Sequence, residues 1–265
     1  MKKFILIFVI FLLIGFLSVF FYKKQTLKTV TILEEAGSSE ESVNFFWWLN
    51  SGGLMTLNDN GGETVQGKLP DNNKWRALYL KVNPEDTDEG FRPQNIFRLL
   101  TKNKFQNFTE EARFVINQYN LSDSSNRDQS NAVLLFGRYE NSDNLYYAGI
   151  RVDGYSVIKK KVKGEYFVVD ERLVFNSVES YDRKDNPNLL PINTPITLKL
   201  VVEDRKNTVH LKLFTMIGDE ADFKLIAEGD DIGQYGGLPL QNNGSVGIRT
   251  DFMDIKFSNF SVKQN

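Results

Sequence analysis

Apolar and polar residues alternate with a period of two along much of this chain, a pattern that suits half-buried strands and not helices. It is clearest at Ile196, Leu198, Leu200 and Val202, and again at Val209, Leu211 and Leu213. Between these runs Asp204-Arg205-Lys206-Asn207 forms a short polar link, so the pair reads as a hairpin. Residues 132–136 are apolar throughout, as expected of a strand covered on both faces. Asp153-Gly154 and Lys163-Gly164 are turn signals that separate strands over 145–152, 155–162 and 165–169. Two closing strands follow at 246–250 and 255–262. After residue 43 no segment keeps a 3.6-residue apolar period for three turns, and there is no repeat or internal boundary. The pattern predicts one all-β domain over 43–265, a sandwich or barrel.

A different pattern opens the chain. Residues 4–22 are apolar apart from Gly15 and Ser18, and nineteen helical residues would span about 28 Å, close to a bilayer's hydrocarbon core. The run ends Ser18-Val19-Phe20-Phe21-Tyr22-Lys23, without the small residues that a signal peptidase needs, so residues 1–22 read as a retained transmembrane anchor. Lys2 and Lys3 on one side are matched by Lys23, Lys24 and Lys28 on the other, so flanking charge does not orient it. A short tail before a large domain favours a cytoplasmic tail and an extracytoplasmic domain at the cell membrane. Residues 23–42, with Glu34-Glu35, Gly37-Ser38-Ser39 and Glu40-Glu41, read as a stalk.

Composition narrows the chemistry. A net charge of −2 argues against nucleic acid as a partner, because phosphate contacts need a basic excess. The absence of cysteine removes disulfides, thiolate metal sites and a cysteine nucleophile. Phosphate-cradling glycine loops, zinc spacings and a Gly-x-Ser-x-Gly elbow are absent as well.

The segments Asn131-Ala-Val-Leu-Leu-Phe-Gly-Arg-Tyr139, Asn144-Leu-Tyr-Tyr-Ala-Gly-Ile-Arg-Val-Asp-Gly154 and Gly244-Ser-Val-Gly-Ile-Arg-Thr250, with the closing Phe257-Ser-Asn-Phe-Ser-Val262, carry a family likeness. Together they resemble the concanavalin A-like lectin/glucanase superfamily, which includes laminin-G-like jelly rolls. The resemblance implies a jelly-roll β-sandwich of two antiparallel sheets and a carbohydrate as partner. The superfamily's glucan hydrolases place two carboxyls at alternate positions of one strand, as Glu-x-Asp-x-x-Glu. Here Glu110-Glu111, Asp170-Glu171 and Glu203-Asp204 are adjacent pairs, which project to opposite faces or lie in turns, so such hydrolysis is not expected.

Sugars are bound by aromatic faces and polar side chains together. Tyr147 and Arg151 share one face of the strand over 145–152, and Tyr139 joins them if the neighbouring strand is antiparallel. Lys159 and Lys161 share a face of the next strand. These five form the candidate ligand-binding patch, suited to an acidic polysaccharide; solvated cross-strand packing is the plainer reading. The same patch would serve a lyase acting on uronic-acid polymers, with Tyr147 taking the α-proton and Arg151 and Lys159 neutralising the carboxylate. His210, alternating with Lys212, reads as a surface residue. Of the adjacent Trp47 and Trp48, one should face inward and the other could offer a sugar platform. A structural Ca²⁺ is the one cofactor left open, at Asp86 and Asp88 in an acidic turn or at Asp251 and Asp254 near the closing strands. The sequence thus suggests a membrane-anchored carbohydrate-binding or adhesion module, with a lyase or a structural envelope protein as alternatives.

Overall fold

The computed structural model describes residues 30–175 and 180–265, so the expected anchor over 1–22 lies outside the described residues. None of the described helices is long and apolar enough to cross a membrane. In chain order the strands are β1 (Thr31–Glu34), β2 (Trp47–Ser51), β3 (Leu54–Asn58), β4 (Gly61–Thr64), β5 (Ile96–Phe105), β6 (Phe108–Tyr119), β7 (Ala132–Asn141), β8 (Asn144–Arg151), β9 (Tyr155–Val162), β10 (Glu165–Leu173), β11 (Pro195–Arg205), β12 (Thr208–Ile217), β13 (Lys224–Asp231), β14 (Gly244–Asp251) and β15 (Met253–Gln264). They build an eight-stranded sheet in the order β1-β3-β4-β15-β6-β11-β12-β13 and a seven-stranded sheet in the order β10-β9-β8-β7-β14-β5-β2. Pairing is antiparallel throughout, and consecutive strands cross repeatedly from one sheet to the other, as in a jelly roll.

The expected hairpins form as read. Arg205 pairs with Thr208 around Lys206, and the Lys163-Gly164 turn joins β9 to β10 with both residues at positive φ. β7 is buried from Ala132 to Tyr139, which matches its uninterrupted apolar run. One core lies between the sheets, with Leu198, Leu200, Leu211 and Leu213 facing Leu135, Ala148, Ile150 and Ile158. The closing Phe257-Ser-Asn-Phe has a local reason. Asn259 takes φ 53° at a bulge, a left-handed conformation that asparagine tolerates, and this turns Phe257 inward while Phe260 packs on Trp47 with ring centroids 4.5 Å apart.

One expectation is corrected here. The stalk predicted over 23–42 does not extend to residue 42. β1 pairs with β3, Leu33 is buried, and the backbone N–H groups of Glu35 and Ala36 donate to Gly53 and Leu49, so residues 30–42 belong to the sandwich. The short helix α1 (Lys74–Val82) was not foreseen. It starts at Asn73, whose side chain accepts the Trp75 N–H, but buries only Tyr79, so it shows no apolar stripe to read.

Candidate functional site

The seven-stranded sheet has an outer face that the other sheet does not cover. Its pairing sets one row of residues across the whole sheet: Trp48 beside Leu100, then Gly247, Phe136, Tyr147, Lys159 and Val168. Six strand spacings carry that row about 29 Å. Leu100, Leu134, Phe136, Tyr139, Tyr147 and Val157 form a second apolar cluster on this face, separate from the main core.

The structure places Tyr139, Tyr147, Arg151, Lys159 and Lys161 on that single face, but divides them between its two ends. Strict alternation from Phe136 would turn Tyr139 into the core. Arg138 intervenes with φ 49° at a bulge, buries its guanidinium between the sheets, and so returns Tyr139 to the outside. Inside, Arg138 donates to the carbonyls of Gln106 and Leu240 at 2.8 and 2.7 Å and pairs with Asp204 at 2.8 Å. Outside, the Tyr139 ring packs edge-on to Phe136 and Trp48, at 5.4 and 6.3 Å between centroids.

At that end a cleft of about 580 Å³ opens, within the usual size range for a small-ligand site. Trp48 and Tyr139 line it together with Asn50, Arg98, Lys104 and Glu140. The Trp48 indole N–H donates to the Ala36 carbonyl at 2.8 Å, so the corrected segment 30–42 fixes the ring and supplies Ser38–Glu40 as one wall. Trp47, its neighbour, faces the core. Arg98 and Lys104 form no ion pair among the described residues, and the Glu140 Oε1 atom is buried without a hydrogen-bond partner. A buried acceptor left unpaired costs free energy unless something supplies a donor. Sequence reading missed Arg98, Lys104 and Glu140, which have no motif and meet only through strand order.

The other end is cationic. The Tyr147 and Tyr166 rings meet edge-on at 5.9 Å, with Arg249 5.8 Å from the Tyr147 centroid and Lys161 4.8 Å from that of Tyr166. Burial pushes the Tyr147 phenol well above its ordinary range, so it is a poor proton acceptor. Partial burial also raises the Tyr166 phenol, but Arg249 and Lys161 outweigh it, and the net shift is downward. Burial, and then Arg151, lower the Lys159 ammonium. Arg151 itself is engaged on both sides, by Asp153 and by Glu171, so its charge is neutralised within the protein. The lyase assignment of Tyr147 with Arg151 therefore does not fit the geometry.

The acidic residues considered for calcium do not converge. Asp254 accepts N–H bonds from Gln94, Asn120 and Gly67 at 2.8, 2.8 and 2.6 Å, and Asp251 pairs with Arg249 at 2.9 Å. Asp86 accepts from Ser124 and Asn126, while Asp88 lies 3.4 Å from Arg92. Each of these carboxylates already accepts a hydrogen bond or faces a guanidinium. Among the described residues no group of three or more His, Asp or Glu could hold a metal ion. His210 is buried, against expectation, with Nδ1 2.7 Å from Asp230 and Nε2 3.2 Å from Glu228.

The sequence matches no protein-family model and no curated protein. Several solved structures overlay on it loosely. The carbohydrate-binding module CBM66 from Bacillus subtilis aligns with TM-score 0.42 and 14% identity over 90% of this chain and 98% of that one. Winged bean acidic lectin complexed with methyl-α-D-galactose gives 0.45 and 9% over 89% and 100%. The GH43 protein BlXynB from Bacillus licheniformis gives 0.38 and 10% over 63% of this chain, which spans 29% of that protein. No residue role is taken from these overlays.

Proposed function

We propose that this chain is a membrane-tethered, extracytoplasmic carbohydrate-binding module, and that its glycan enters the Trp48–Tyr139 cleft. One observation carries the reading: two aromatic rings stand in a cleft with Arg98, Lys104 and Glu140, side chains that have no ion-pair partner among the described residues. Sugar C–H faces pack on such rings, hydroxyls donate to a carboxylate such as Glu140, and a guanidinium fork receives hydroxyl or carboxylate oxygens. Cations without an ion pair among the described residues stand at both ends of the row, Arg98 and Lys104 at one and Lys159 at the other, and favour an acidic glycan. The motif resemblance to lectin-type jelly rolls supports the same class, and residues 4–22 supply the tether.

Titration of the full chain with neutral and uronic-acid oligosaccharides, followed by calorimetry, tests this. Binding that falls at least tenfold in Trp48→Ala and Arg98→Ala is expected. Absence of binding to every acidic and neutral glycan tried would overturn the proposal.

A second reading has one observation behind it. Tyr166, whose phenol is lowered beside Arg249 and Lys161, could take an α-proton from a uronate whose carboxylate Lys161 holds. Unsaturated products appearing in wild type and lost in Tyr166→Phe would favour a lyase over a pure binder.

A further inference from the structure

A second cleft, about 580 Å³ in volume, lies on the β1/β2 side of the sandwich, and Thr31, Phe45, Phe46, Trp47 and Phe260 line it. Beside it the chain exposes two large apolar side chains almost completely, Val43 at 92% and Phe45 at 91%. They are not loosely held. Asn44 sits between them, and its Oδ1 accepts the N–H groups of Phe46 and Trp47 at 2.9 and 2.8 Å. That turn pins the backbone and leaves both neighbours pointing to water. Val30, just before β1, and Ile32 within it are also exposed, at 63% and 62%. Rigid apolar display of this kind usually marks an interaction surface.

What covers it follows from where the chain comes from. The apolar run ends at Tyr22, and only the seven residues 23–29 separate it from Val30. Fully extended, they reach about 24 Å. Val43 and Phe45, on the side where the chain enters, are therefore held close to any bilayer that residues 4–22 span. Lys23, Lys24 and Lys28 lie within that short link, and Lys102 donates from Nζ to the Ser42 carbonyl at 3.1 Å, next to Val43. These cations suit anionic headgroups. Asp59 is the one carboxylate lining the cleft, and at headgroup depth it would remain hydrated.

We propose that this side of the sandwich rests on the anchoring bilayer, with Val43 and Phe45 inserted at the headgroup–acyl boundary. The proposal rests on residues 4–22 acting as the tether. β1 and β2 are edge strands of their two sheets, so the sandwich stands edge-on and β10 and β13 point away from the membrane.

The cysteine-free chain allows a clean test. Phe45→Cys and Leu238→Cys are each labelled with bimane in the full chain, reconstituted into vesicles of phosphatidylcholine and phosphatidylglycerol containing nitroxide lipid. Leu238 is 86% exposed and follows β13 at the opposite edge. Quenching several-fold stronger at position 45 than at 238, with blue-shifted emission, is expected. Equal quenching at both positions, in chains that resist alkaline extraction from the vesicles, would overturn the docking alone. Chains released by alkali would overturn the tether and the docking together.

Discussion

Lys160 and Asp231 form an ion pair with no solvent exposure on either side chain, 2.9 Å from Nζ to Oδ2. Lys160 also donates to the carbonyls of Gly237 and Leu238 at 2.7 and 2.8 Å, and the Tyr146 hydroxyl donates to Asp231. The pair thereby fastens the crossing between β13 and β14 to the sandwich interior. Removing one partner strands a charge in the core. Lys160→Met or Asp231→Asn should each cost about 3–5 kcal/mol, while the double variant should lose much less than the sum. Urea unfolding of the three variants measures this.

Glu110 presents the opposite case. Its side chain is fully buried on β6 and neither carboxyl oxygen has a hydrogen-bond partner. Burial drives its pKa well up. Folded Glu110 holds its proton while the unfolded side chain releases it near its ordinary value, so the native state binds more protons. Stability must then fall as pH rises above that ordinary value. Glu110→Leu should raise stability at neutral pH by about 1–3 kcal/mol and flatten the slope. Thermal melts across pH 4 to 8 decide it; an unchanged slope would show that Glu110 does not set it.

The adjacent tryptophans should separate stability from binding. Trp47 packs against Phe257 and Phe260 in the core, so Trp47→Ala should cost about 3–5 kcal/mol. Trp48→Ala, which removes a half-buried ring from the outer face, should cost less stability than Trp47→Ala, yet lose glycan affinity. Denaturant melts set beside binding isotherms give both numbers.

Tyr166 should ionise before the tyrosines that burial shifts upward. Its phenol is lowered by Arg249 and Lys161, while burial raises Tyr79, Tyr119, Tyr139, Tyr146 and Tyr147. An ultraviolet titration should show one early phenolate, lost in Tyr166→Phe and shifted to higher pH in Arg249→Leu.

Much of this architecture could be read from residue pattern alone. Alternation at Ile196–Val202 and the Asp153-Gly154 turn reported local geometry, which short windows of sequence encode. The face shared by Tyr147, Lys159 and Lys161 followed from the same period of two. Other features had no local signature. Tyr139 reaches Trp48 because a left-handed Arg138 resets the alternation, and nothing in its neighbours announces that bulge. Arg98 and Lys104 meet Trp48 because β5 pairs with β2, and Glu140 joins them from β7 across the single intervening strand β14. Residues 30–42 looked like a linker because one buried side chain, Leu33, docks β1 at the sheet edge. His210 looked exposed because the acidic partners that enclose it come from another strand.

The row from Trp48 to Val168 runs across the strands and not along them. A polymer laid over it would meet a new strand every ~5 Å, and each strand offers its own residue to the polymer. Preference for chain length or charge pattern could therefore be retuned one position at a time, with each change confined to a single strand.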